Sequence, residues 1–259
     1  MNVMTGLGAA GAINMQPMFP YRCDGALEVD GRSFSDWKEG GHGVLADFDE
    51  ALAQSCDVVF ADLGIRLGAD RLQSMMSAAG FDGRADLGLV TVPLGVTVGK
   101  IFNKFETGFY SIGIQHQTTN TLHLAMIASM MANRGTVVTP KLLRSRRSIL
   151  GEEIGGSPEQ TRTNVASRDA AERVVKAMTA VATRPTGTGR RAQVDGFPLA
   201  IATGTAGKEA DGYHAAIIAF APVETPKIAF ALIIEESGPA EFVAAKVAHD
   251  FMAAIKDRL

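Results

Sequence analysis

The feature that most limits the fold is a change of period at Phe197. Beyond it, residues 199–206, 214–220 and 227–235 read as three strands. They are separated by a polar loop carrying Gly207 and Gly212, and by Ala221-Pro222-Val223-Glu224-Thr225-Pro226. Residues 240–256 then place Phe242, Val243, Val247, Phe251 and Ile255 on one face of a closing helix. Ahead of Phe197 the apolar spacing is helical. A helical region followed by an antiparallel meander and a helix implies an α+β fold. We expect one domain over 1–259, helical across roughly 44–185, with the sheet and last helix across roughly 197–259.

Within the front region, residues 2–12 have helical character, but Gly6, Gly8 and Gly11 each cost about 1 kcal/mol against alanine, so this helix needs tertiary support. Residues 17–43 are rich in Pro and Gly and read as loop. Asp47 or Asp49 caps one helix running to about Leu63, and residues 70–79 form another, closed by Gly80. Residues 81–108 read as irregular. Residues 118–132 form a deeply buried helix, and 168–182 one more.

A chain of 259 residues can bury a sizeable core without staples. Net charge is -3, and the densest basic patch, Arg144, Arg146 and Arg147, reads as a solvated connector, so nucleic acid is not an expected partner. Cys23 and Cys56 make no disulfide framework, and Cys56 reads as a small buried apolar group. The histidines at 42, 116, 123, 214 and 249 show no metal-ligand spacing, so neither a metal nor a cofactor is expected. No stretch is apolar enough for a membrane span. Residues 1–18 lack the basic start of a secretion signal, so as written the chain shows no signal or anchor.

Several segments occur in a fixed order: Phe34-Ser35-Asp36-Trp37 before Gly41-His42-Gly43; Ala51-Leu52-Ala53-Gln54-Ser55-Cys56-Asp57; Gly64-Ile65-Arg66-Leu67-Gly68 and Gly80-Phe81. Ile112-Gly113-Ile114-Gln115 and Thr121-Leu122-His123-Leu124-Ala125 follow, then Gly187-Thr188-Gly189 and Thr203-Gly204-Thr205-Ala206, with His214-Ala215-Ala216 through Phe220-Ala221-Pro222 last. In this order they resemble the transpeptidase domain of class B penicillin-binding proteins, a degenerate and N-terminally truncated copy of it. The resemblance implies a β-lactamase-like fold and a role in peptidoglycan synthesis. In that family a serine in Ser-x-x-Lys is acylated by a D-Ala-D-Ala peptide or a β-lactam. Ser-x-Asn and Lys-Thr-Gly motifs handle protons and the substrate carboxylate, and backbone N–H groups form an oxyanion hole.

Mapped onto this chain, the resemblance implies that every polar motif has departed. The first lysine slot holds Asn2, and an amide cannot take a proton from a hydroxyl. The second motif reads Ser55-Cys56-Asp57, with a carboxylate in the asparagine slot that would repel a substrate carboxylate. The third has Ala202 for lysine, with Thr203, Gly204 and Thr205 intact. Ser55, Asp57, Thr203, Gly204 and Thr205 are thus the candidate substrate contacts, for a stem peptide or β-lactam laid along the strand. Catalysis is expected to be impaired. The alternatives are an active DD-transpeptidase whose serine lies on sequence absent here, or a serine hydrolase reusing the cleft through Ser55 or Ser35.

Ser35-Asp36-Trp37-Lys38 matches Ser-x-x-Lys as text, but Glu39-Gly40-Gly41-His42-Gly43 will not hold the helix that chemistry needs. His116 reads as a surface or loop histidine, with a substitute polar group in the cleft as the alternative, and His123 as a hydrogen-bonded core histidine. The family's sheet takes two strands from upstream of the nucleophile, so the 227–235 strand is expected to show an open edge that either pairs with a second copy or leaves the C-terminal region disturbed. Family resemblance implies the periplasm or cell envelope, with the cytoplasm open for the chain as written.

Overall fold

The computed structural model describes residues 1–97, 99, 101, 103–114, 117–156, 162–208 and 212–259. It is α+β, with eight α-helices and a three-stranded antiparallel sheet among the described residues. Helix α1 (Asn2–Ala12) does form, and its glycines are where it packs. A methyl on Gly6 would lie 2.7 Å from Phe48 Cζ, and one on Gly8 2.6 Å from Leu67 Cδ2. Close approach to its neighbours is the tertiary support that offsets the low propensity.

Residues 17–43 are more ordered than a loop. They hold β1 (Tyr21–Cys23), β2 (Ala26–Val29) and β3 (Arg32–Ser35), and β4 (Gly43–Leu45) follows, in the pairs β1–β4 and β2–β3. The helix expected from Asp47 to Leu63 is two helices, α2 (Phe48–Ala53) and α3 (Asp57–Leu67). Asp47 caps α2 by accepting from Glu50 N. The break comes from outside: the Asp36 carboxylate takes Val58 N–H, and the Trp37 indole N–H takes the Ser55 carbonyl. Ser55 then sits at φ +52°, which no helix tolerates. Helix α4 (Ala69–Ala78) follows.

The 81–108 stretch holds β5 (Arg84–Asp86), β6 (Thr91–Pro93) and β7 (Val96–Thr97), then enters α5 (Lys104–Ile112), which is capped by Asn103. β8 (Gln117–Thr118) pairs with β7. Helix α6 (Thr121–Ala132) starts three residues later than expected because Asn120 caps it. β9 (Thr136–Val138), β10 (Ser145–Arg147), β11 (Glu153–Gly156) and β12 (Arg162–Asn164) lead to α7 (Arg168–Thr183).

The main sheet is β13 (Ala200–Lys208), β14 (Gly212–Ala221) and β15 (Ile228–Ile234), in that order, and α8 (Ala244–Ile255) closes the chain. Ile218 lines a cavity with Leu124 and Ile127 of α6, whereas Phe230, opposite Ala219, packs edge-on against Phe251 of α8. Successive strand residues face opposite ways, so α6 and α8 cover opposite faces. One continuous apolar core runs from Val3 to Met252. No helix among the described residues is long and apolar enough to cross a membrane.

Candidate functional site

The helix break at Ser55 builds the centre of the site. Ser55 is held between Trp37, which binds its carbonyl at 2.9 Å, and Asn2, whose Nδ2 donates to Ser55 Oγ at 3.3 Å. Asn2 also lies close enough to favour the charged form of the Asp57 carboxyl, while its Oδ1 is buried without a partner among the described residues. Three of the anticipated positions, Asn2, Ser55 and Asp57, therefore meet. The neighbour of the Ser55 hydroxyl is an amide N–H, which donates a proton and cannot accept one.

Asp57 differs from expectation in its charge. Burial, reinforced by the Asp36 carboxylate, pushes its carboxyl up to about 7, against opposing contributions from His42 and Asn2. A carboxyl raised this far holds its proton into the neutral range, so it repels an incoming carboxylate less than a full charge would. Asp36 goes the other way. Burial alone would raise it, but hydrogen bonds from His42, Lys38 N and Val58 N hold it below the usual carboxylate range. Asp36 and His42 side chains are fully shielded, with Nε2 to Oδ1 at 3.1 Å, and His42 Nδ1 lies 3.2 Å from Gln54 Oε1.

Strand β13 joins this group through Thr188. Its N–H binds Ala53 O at the end of α2 at 2.9 Å, and its hydroxyl meets Thr203 Oγ1 at 2.7 Å. Thr205 Oγ1 accepts from Ala240 N at 3.1 Å. Both threonine hydroxyls are thus partly engaged inside the protein. Ala202 lies opposite Ile218 in the register, and Ile218 lines a cavity of about 110 Å³ together with Val3 and Met4 of α1. Residues directly opposite share a face, so Ala202 and Gly204 look toward the α1 side of the sheet. A methyl built on Gly204 meets nothing within 4 Å, so that face is open. β13 is an edge strand, and 204–207 are exposed.

The buried carboxylate Asp36 also gathers the two cysteines. Cys56 and Cys23 thiols donate to Asp36 Oδ2 at 3.3 and 3.7 Å, and both are fully buried. Cys56 is therefore a hydrogen-bonding group as well as an apolar one. Burial, with Asp36 adding to it, raises its thiol far above the ordinary range, so it is inert as a nucleophile. One donor atom from each of Cys23, Asp36 and Cys56 lies within 4.8 Å of the others, a set able to share a soft cation. Sequence spacing did not reveal this set, nor the roles of Asp36, Trp37 and His42, because the members come from four separate segments. The signal available was the run Phe34–Gly43, noted only as a pattern.

Ser35 ends strand β3 and is exposed, as is Lys38, so their Ser-x-x-Lys has no helix. His123 is a core histidine: Gly95 N donates to Nδ1 at 2.9 Å, Nε2 meets Ala79 O at 3.1 Å, and burial keeps it less basic than usual. Gln115 and His116 lie outside the described residues.

The penicillin binding protein transpeptidase domain model matches residues 9–255. The peptidoglycan D,D-transpeptidase PbpA of Mycolicibacterium smegmatis is 32% identical over 206 residues, 76% of this chain and 40% of that protein. The imipenem acyl-enzyme of penicillin-binding protein A from Mycobacterium tuberculosis superposes with TM-score 0.79 at 26% identity, over 98% of this chain and 58% of that one. The aztreonam complex of penicillin binding protein 3 from the same organism gives TM-score 0.84 over 99% of this chain and 61% of that one, and at 21% identity it speaks for the fold alone. The chain spans two fifths or less of the curated relatives' length, for example 40% and 34%. The match of the family model over residues 9–255, nearly the whole length, places the chain in the penicillin-binding-protein transpeptidase domain family.

Proposed function

We propose that this chain is a non-acylating transpeptidase-type domain of peptidoglycan synthesis in the cell envelope. It folds as one domain over 1–259 and holds a D-Ala-D-Ala-type stem peptide or a β-lactam reversibly between Ser55 and β13. One observation carries this reading: Ser55 Oγ faces the Asn2 amide, with no lysine at either Asn2 or Ala202. Without a lysine in either slot the hydroxyl lacks the family's base, and without the β13 cation the ligand carboxylate gains no ion pair. What remains is main-chain recognition. An extended peptide can add to the β13 edge, where Gly204 leaves open space, and Thr203 and Thr205 keep hydroxyl capacity beyond their internal bonds.

Calorimetry with a peptide ending in D-Ala-D-Ala tests this directly. Saturable binding is expected, with the peptide recovered intact afterwards. Release of the terminal D-Ala would show an active enzyme, and absence of binding would remove the proposed role. We further propose that the free edge of β15 pairs with a second copy, since β15 is hydrogen-bonded on one side only among the described residues. Light scattering should show a dimer, and a compact monomer would sink that part.

A further inference from the structure

We infer that the β10–β11 hairpin docks on an anionic lipid surface, with Ile149 and Leu150 entering the headgroup region and the β10 arginines meeting lipid phosphates. The hairpin shares no residue with the site at Ser55, so this inference stands or falls apart from the binding role. The basic run at 144–147, expected to be a solvated connector, lies largely on β10. β10 and β11 pair antiparallel and carry Ile149 and Leu150 in the turn between them. Ile149 is fully exposed and Leu150 is 81% exposed. Ile154 on β11 and Leu142 ahead of β10 are exposed as well, as are Leu89 and Val90 in the β5–β6 turn. The two hairpins are tied together. Leu142 N–H donates to Leu87 O at 3.1 Å, and the Arg146 guanidinium donates to Gly88 O at 3.5 Å. Large aliphatic side chains gathered and exposed in this way mark an interaction surface.

Three observations select lipid as the occupant. Full exposure of Ile149 makes the turn a projection rather than a groove, which suits entry into a soft phase. The turn also satisfies its own backbone. Ser148 N–H donates to Glu152 O at 2.8 Å and Gly151 N–H to Ser148 O at 3.0 Å. Ser148 Oγ accepts from Leu150 N at 3.2 Å and from Glu152 N at 3.3 Å. Backbone groups that leave water at a bilayer need such internal partners. The charge is complementary too. Lys141, Arg144, Arg146 and Arg147 are exposed and make no ion pair among the described residues, unlike Arg66, Lys176 and Arg184. The acids nearby are Asp86, Glu152 and Glu153, and Asp86 accepts from Gly88 N at 2.8 Å. Over 84–93 and 141–156, cations outnumber acids by two, in a chain whose net charge is -3. Unpaired cations flanking an apolar tip match anionic headgroups.

Flotation of the full chain with phosphatidylcholine vesicles, with and without phosphatidylglycerol, tests this. Binding is expected on the phosphatidylglycerol vesicles, fading with added salt. Replacing both tip residues together, Ile149→Ser and Leu150→Ser, should weaken it about a hundred-fold, about ten-fold for each aliphatic lost. Replacing Arg144→Ser and Arg147→Ser together should weaken it about five-fold for each cation, on the phosphatidylglycerol vesicles alone. All four side chains are exposed, and thermal unfolding checks that the variants fold. If the tip variant does not fold, Leu150→Trp decides the matter. Brominated phosphatidylcholine mixed into the phosphatidylglycerol vesicles should quench its emission more than that of wild type, whose only tryptophan is Trp37. Absence of binding to phosphatidylglycerol vesicles, binding that the tip substitutions leave unchanged, or equal quenching of Leu150→Trp and wild type overturns the inference. So does a lipid-free dimer abolished by the tip substitutions, which would assign the tip to a second copy.

Discussion

Asp57→Asn should stabilise the protein, and most at alkaline pH. The Asp57 carboxyl moves from its ordinary 3.8 to about 7 on folding, chiefly through burial. The folded state thus binds the proton more tightly than the unfolded chain. Stability is fully present below about pH 4 and falls as pH rises to about pH 7, where the cost of the buried charge reaches its limit. A shift of about three pH units corresponds to about 4 kcal/mol at most, at 1.36 kcal/mol per unit. Asp57 is only half-buried as a residue, so solvent screens part of this, and about 2 kcal/mol is the better figure. Asparagine keeps the shape and removes the charge. Urea denaturation of wild type and Asp57→Asn, in EDTA so that Cys23, Asp36 and Cys56 hold no cation, should give curves that converge near pH 4 and separate by about 2 kcal/mol near pH 8. A constant gap across that range, or a variant less stable at alkaline pH, would refute the account of this carboxyl.

Other perturbations test the packing and the cleft. Gly64 of α3 has no room for a methyl against Ser111 of α5, so Gly64→Ala should cost about 1–3 kcal/mol in chemical denaturation. His123→Leu keeps the volume but leaves Gly95 N–H and Ala79 C=O unpaired in the core, and should cost about 2–5 kcal/mol by the same assay. Ala202→Lys puts a cation on the α1-facing side of β13 and should tighten binding of a peptide carboxylate by about 1 kcal/mol, roughly five-fold, an effect that fades with added salt. An affinity unchanged at low salt would show that this face is not where the carboxylate lies.

The helices and strands that depend on period were legible from residues alone. β13 to β15 alternate or run apolar between turn residues, and α6 and α7 carry caps and apolar stripes. Failures came where distant groups take over local backbone bonds. Nothing in Ala53-Gln54-Ser55-Cys56-Asp57 signals a break; Asp36 and Trp37 impose it from twenty residues away or nearly so. The motif positions Asn2, Ser55, Asp57 and Thr203 were marked by family order; in the structure Asn2 donates to Ser55, and Thr203 bonds Thr188, which is tied to Ala53 two residues before Ser55. Their physical state was not legible. Asp57 reads as an ordinary anion until burial and Asp36 are seen around it. The Asp36–His42 pair and its cysteines stayed hidden because residues 23, 36, 42 and 56 have no shared spacing.

The proposed non-acylating role turns on the absence of lysine from both motif slots, held here by Asn2 and Ala202. Intact-protein mass spectrometry after long incubation with excess penicillin G tests it most directly. An unmodified mass is expected at every time point. An added penicilloyl mass that maps by peptide digestion to Ser55 or Ser35 would contradict it.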